Sequence, residues 1–195
     1  MIVENKIAYP VIFTARRLVK KNGVDNLLRA MPHILEQVEC KLLIIGDGPQ
    51  RSDLIHLVEK LGIKNNVNFL GAIPNNDIAR YLALADIAVV PSIVEASSIF
   101  MLEAMAMGKP VVTTGAWGLA EIINGKNGVL TDAAHLGEAI AELLLNDQKQ
   151  KELGKNARQY VIKYHNWEKI AKQVESEYLR LMTHSPIDED LCKVR

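Results

Sequence analysis

Short apolar runs alternate with amphipathic stretches along most of the chain. The runs at 10–15 (PVIFTA), 41–46 (KLLIIG), 66–71 (NVNFLG), 86–92 (DIAVVPS), 110–115 (PVVTTG) and 128–132 (GVLTD) each predict a strand. Between them the spacing turns helical. Val24, Leu27, Leu28, Met31 and Leu35 share one face of a helix over 24–38, and Pro32 inside it predicts a kink. Leu54, Ile55, Leu57, Val58 and Leu61 predict a helix over 52–62 that stops at Gly62. A third helix is expected over 76–85, capped by Asn75 or Asn76. Further helices are expected at about 98–107, 118–124, 133–145, 148–163 and 166–182. Continuously apolar strands separated by helices predict an α/β fold, a parallel sheet with helices on both faces. Such sheets bind ligands in the crevice beyond the carboxyl ends of their strands. The residues that follow each strand are therefore the ones to read for chemistry.

The first strand is followed by RRLVKKNG, with Arg16, Arg17, Lys20 and Lys21 close together before a helix N-terminus. That concentration of positive charge is an expected anion site, with a solvated basic loop as the alternative. The second is followed by GDGPQR. Gly46 and Gly48 make a G-x-G turn, but Arg51 stands where a dinucleotide fingerprint needs a small residue, so a nicotinamide or flavin site is not expected. GAIP, with Ala72, follows the third strand. PSIVEASS follows the fourth; it carries Glu95 and opens the next helix with Ser97 or Ser98 as cap, leaving free N–H groups for a phosphate. GAWGLAE follows the fifth, where Gly115 and Gly118 would permit close approach and Glu121 enters a helix.

The stretch Ile99 to Met107 is apolar on nearly every side and is expected to be buried, yet it contains Glu103. A carboxylate in such a place is costly unless something pairs with it. A vicinal diol, as on a ribose, is one candidate; an internal arginine such as Arg17 or Arg80 is the other.

Composition narrows the partners. Lys+Arg and Asp+Glu are each 23, so the formal net charge is zero, which argues against a general nucleic-acid binder. Cys40 and Cys192 have no metal-ligand spacing and read as reduced thiols in a cytoplasmic protein. No secretory leader, low-complexity segment, internal repeat or membrane-length apolar run is visible.

Taken in order, RRLVKKNGVDNLL, LLIIGDGPQRSDL, VNFLGAIPNNDIARYLALADIAVVPS, EASSIFMLEAMAMGKPVV and GLAEIINGKNGVL resemble the C-terminal half of a GT-B glycosyltransferase, most closely the retaining family 4 with its E-x7-E motif. The resemblance covers residues 10 to 182, and the block from Pro91 to Pro110 is its most specific part. It implies a Rossmann-like donor domain that needs no metal or other cofactor and binds a nucleotide-diphosphate sugar. A separate N-terminal domain, absent from this sequence, would hold a saccharide or lipid-linked acceptor. By position, Glu103 would hold the donor ribose and Glu95 would lie near the donor sugar. Ser98 and Ile99 would offer backbone amides to the diphosphate, and Arg17 would stabilise the leaving group. Gly46, Gly48 and Ala72 lie in turns that would flank the base. Two departures stand out: Arg16 occupies the place of the glycine before the family's Arg-Leu, and Asn22 the place of its phosphate lysine. Lys20 or Lys21 would have to serve instead.

The implied organisation is a linker at 1–9, the nucleotide-sugar domain at 10–165, a crossover-type helix at 166–182 and a tail at 183–195. By itself the chain is expected to bind donor without efficient transfer, in the cytoplasm or peripherally at the inner face of the cell membrane. Asn166 is the expected cap of the last helix, and Trp167, Ile170, Val174, Tyr178 and Leu181 its apolar face. That helix is expected to be frayed, swung out or self-associated, with ordinary packing on its own sheet as the alternative. The competing functional class is a non-catalytic nucleotide-binding module or partner subunit. A sugar-nucleotide epimerase is a weaker one, disfavoured by the E-x7-E spacing.

Overall fold

Six strands form one parallel sheet in the order β3-β2-β1-β4-β5-β6. The computed structural model describes residues 9–184 except residue 116. The strands are β1 (Val11–Ala15), β2 (Lys41–Ile45), β3 (Val67–Gly71), β4 (Ile87–Val90), β5 (Val111–Thr114) and β6 (Val129–Thr131). Each lies inside a run that the apolar pattern selects. The helices are α1 (Val24–Gln37), α2 (Arg51–Lys60), α3 (Asn75–Ala83), α4 (Ile99–Ala106), α5 (Gly118–Ile122), α6 (Leu136–Leu144), α7 (Asp147–Tyr164) and α8 (Trp167–His184).

Alternate strand residues feed two separate cores. Ile12, Leu42, Ile44, Ile87 and Val89 pack with α1, α2 and α6. Val11, Phe13, Leu43, Ala88 and Val90 pack with α3, α4, α5 and α7 on the opposite face. This is why β1, β2 and β4 read as near-continuous apolar runs: both their faces are covered, whereas the edge strands β3 and β6 expose Asn68 and Leu130. The arrangement is the Rossmann-like sheet expected for this half of a GT-B enzyme.

α1 runs through Pro32 to Gln37, as the helical spacing over 24–38 predicts. Local details differ from the sequence reading in two places. Neither Asn75 nor Asn76 caps α3, whose N-cap is Pro74 with no side-chain bond. The second concerns α4, which is not buried all round. Phe100, Met101, Ala104 and Met105 face the core, but Ile99 is 72% exposed and Met107 37%. An all-apolar helix has no polar stripe to orient it, so its pattern could not show which edge would be left at the surface.

α8 is continuous from Trp167 and is capped by Asn166, whose Oδ1 accepts from Lys169 N–H at 3.1 Å. It belongs to neither core: Trp167, Val174, Tyr178 and Leu181 are all exposed. Ordinary packing on the domain's own sheet is not what the helix does. The expected tail at 183–195 lies almost wholly outside the described residues.

Candidate donor site at the sheet switch point

β1 and β4 are neighbours in the middle of the sheet, and the strand order reverses between them. The loops that leave their carboxyl ends therefore diverge and open a crevice, the position where doubly wound sheets bind ligands. The two loops hold each other. Ile93 N–H donates to the Lys21 carbonyl at 2.8 Å. Gly23 has φ +65°, and a Cβ there would lie 1.9 Å from the Pro91 carbonyl oxygen, so only glycine allows the contact.

The crevice is a cavity of about 560 Å³, within the usual range for a small-molecule site. Arg16, Arg17, Lys21, Glu95, Ser98 and Ile99 contribute to its lining. Three cations thus face one carboxylate. α4 begins at the same cavity. A helix cannot satisfy its own first N–H groups; Ser98 Oγ takes that of Met101 at 3.2 Å, leaving those of Ile99 and Phe100 on the cavity wall. A cavity of similar volume, about 530 Å³, lies between α1 and α6 and mixes Arg29 and His33 with Glu138 and Glu142. It offers no comparable excess of one charge.

Arg16, one of the four loop cations and the residue in place of the expected glycine, makes the most side-chain contacts on this wall. Its side chain is only 7% exposed and is ion-paired to Glu95. Its guanidinium also donates to Ser98 Oγ at 3.0 Å and Asn22 Oδ1 at 3.2 Å. Asn22, the second departure, is buried and donates to the Arg17 carbonyl at 2.7 Å. Arg17 itself is exposed on the cavity.

The other expected residues divide. Lys21 lines the cavity, whereas Lys20 is ion-paired to Asp25 and is not part of the wall. Gly46 presses on the chain itself, since a Cβ there would lie 1.8 Å from the Arg16 carbonyl oxygen. The GDGP turn therefore buttresses the β1 loop, which is reason enough for its glycines. Ala72 is exposed at the end of β3. Of the two glycines after β5, Gly118 makes a close approach, to the Ala96 carbonyl, while Gly115 has room for a side chain. Beside them Trp117, which the sequence reading passed over, adopts φ +34° and is 78% exposed. A tryptophan where glycine is the easy choice could have been noticed from its place between Gly115 and Gly118.

Glu103 lies half-buried on the second turn of α4. The described residues give its carboxylate no hydrogen bond or ion pair, and Arg80 is paired with Asp77 instead. Among the described residues neither Arg17 nor Arg80 forms the internal salt bridge. Loss of solvent, with no compensating partner, raises the Glu103 pKa above the ordinary glutamate value of 4.5.

Comparison with known proteins agrees with this fold. A glycosyltransferase of Methanocaldococcus jannaschii, itself described as uncharacterized, is 36% identical over 173 residues, which cover 86% of this chain and 44% of that protein. Sucrose-phosphate synthase from Thermosynechococcus elongatus superimposes with a TM-score of 0.81 at 32% identity, over 91% of this chain and 47% of the synthase. The Anabaena protein HepE, solved in complex with UDP-glucose, gives a TM-score of 0.73 at 27% identity, over 87% of this chain and 49% of its own. The chain thus spans less than half the length of these relatives. Residues 3–160 match the family described as glycosyl transferases group 1, and the chain belongs to that family.

Proposed function

We propose that this chain binds the nucleotide-diphosphate sugar of a retaining, metal-independent glycosyl transfer, and that a second domain supplies the saccharide or lipid-linked acceptor. The observation that carries this reading is the convergence of Arg16, Arg17, Lys21 and the α4 N-terminus on one cavity at the switch point. As the glycosyl group departs, negative charge grows on the diphosphate. Fixed cations and backbone N–H groups stabilise that charge most where water is scarce. Arg17, exposed on the wall, is placed to meet the leaving phosphate. Glu103, without a partner, is assigned to the ribose hydroxyls, and Glu95 to the donor sugar. Gly46, Gly48 and Ala72 are assigned to the turns that flank the base. The exposed face of α8 is assigned to the acceptor domain, with pairing to a second copy as the alternative.

Nucleoside diphosphates are expected to stabilise the protein against heat, and nicotinamide dinucleotides are not. A ligand present at about 100 times its dissociation constant adds about 2.7 kcal/mol. For a chain of this length that raises the melting midpoint by roughly 5–10 °C. UDP, GDP and ADP would be compared with NAD at millimolar concentration. No shift with any of the three diphosphates, or an equal shift with NAD, overturns the reading.

A further inference from the structure

Two departures in the β1 loop form one unit in the folded protein. Arg16 stands where the resemblance expects glycine, and Asn22 where it expects lysine. Six residues apart in sequence, they meet in the structure: Arg16 Nη2 donates to Asn22 Oδ1 at 3.2 Å. The loop has lost a cation at one end and gained one at the other. The gained cation is not idle. It is almost fully buried, and its neighbours are three acceptors: the Glu95 carboxylate, Ser98 Oγ and Asn22 Oδ1. Ser98 ties it directly to the start of α4, because the same hydroxyl oxygen accepts from Met101 N–H at 3.2 Å.

Resting on the donor-binding reading above, we infer that Arg16 is the relocated phosphate cation of this site and that Glu95 is its resident counter-anion, which an incoming diphosphate displaces. Glu95 is the one carboxylate on a wall that also carries Arg16, Arg17 and Lys21. A phosphate oxygen arriving at the α4 N-terminus competes for the same guanidinium face. Arginine binds carboxylate and phosphate with the same planar fork, so the exchange conserves its hydrogen bonds. Asn22 and Ser98 hold the guanidinium in place through the exchange. The carboxylate set free then becomes available to the sugar end of the donor. Donor binding and the positioning of Glu95 are thereby one event. Glu95 is held on Arg16, its Oε2 also lying 3.4 Å from Ser92 Oγ.

This exchange predicts an effect of unusual sign. Removing an acid from a binding site commonly weakens binding; here Glu95→Gln removes a competitor and tightens it. Calorimetric titration of UDP, GDP and ADP, each beside its nucleoside, into the full chain and its variants tests the point. E95Q is expected to bind the diphosphates at least about threefold more tightly, with nucleosides unchanged. R16G is expected to lose roughly tenfold or more for the diphosphates alone. R16K keeps the charge but not the fork and is expected to fall between. R16G combined with N22K, which returns a cation to the other end of the loop, is expected to regain affinity; this rescue guards against a fold defect in R16G. Wild type binding a diphosphate while E95Q binds it equally or more weakly overturns the exchange and leaves the donor reading intact. R16G binding as well as wild type does the same. Binding of no diphosphate by wild type or by E95Q overturns the donor reading itself.

Discussion

The loop that carries Glu95 and the helix turn that carries Glu103 hold their two acids in opposite states. Glu95 is paired with a buried arginine and sits in a web of side-chain hydrogen bonds. Glu103, eight positions later, is half-buried and has no partner among the described residues. The difference lies in what each acid contributes to the free protein. Glu95 neutralises a charge that the fold has taken out of water, so it stabilises the loop pair. Glu103 is a partly desolvated charge with no partner among the described residues, so it costs stability.

The comparison breaks most readily at Glu95. Replacing it by Gln keeps an acceptor for Arg16 but leaves the guanidinium charge uncompensated. The free protein is expected to lose about 2 kcal/mol, or roughly 4–8 °C in melting midpoint. Thermal denaturation of E95Q without ligand reads this directly; an unchanged midpoint means the ion pair is not holding the two loops.

Glu103→Gln is expected to have the opposite and smaller effect, a gain in stability of the free protein at neutral pH. The sign follows from its raised pKa. Where the folded protein holds the proton more tightly than the unfolded chain, stability falls as pH rises through the window above 4.5. The wild type therefore carries the full penalty at neutral pH and none below the unfolded value, while the glutamine variant carries none at either. Denaturant titrations of both proteins at neutral and acid pH sharpen the comparison. A gain that persists unchanged in acid would assign the effect to packing and not to charge.

Much of this was legible in the chain. Each strand and helix falls where apolar periodicity puts it, because a sheet covered on both faces leaves few polar positions to confuse the pattern. The β1 loop, Glu95, Ser98 and Ile99 were legible as a site because they all follow strands, and the topology brings strand ends together. The glycines of GDGP were harder: the sequence shows that backbone must come close at Gly46, but not that the approaching group is the chain's own Arg16 carbonyl. Arg16 was legible as one cation of the loop and as a missing glycine, but not as the partner of Glu95. Its pairing with Glu95 spans 79 positions and depends on β1 lying beside β4, a neighbour relation that no local pattern carries. Set against the pattern that the resemblance implies, Arg16 adds a cation and Asn22 removes one on the same short loop, and that pair of departures was a signal within reach.

The claim that Glu103 is reserved for a ribose is tested most directly by one double comparison. A nucleoside diphosphate that binds the wild type and its 2′,3′-dideoxy analogue would each be titrated into wild type and E103Q. A hydrogen bond to a charged acceptor is worth about 1.5–3 kcal/mol, so E103Q should lose roughly tenfold or more for the natural diphosphate. With the dideoxy analogue, which has no diol to donate, the two proteins should bind nearly alike. Equal losses with both ligands would contradict the account, placing the effect of Glu103 in the protein and not on the ribose.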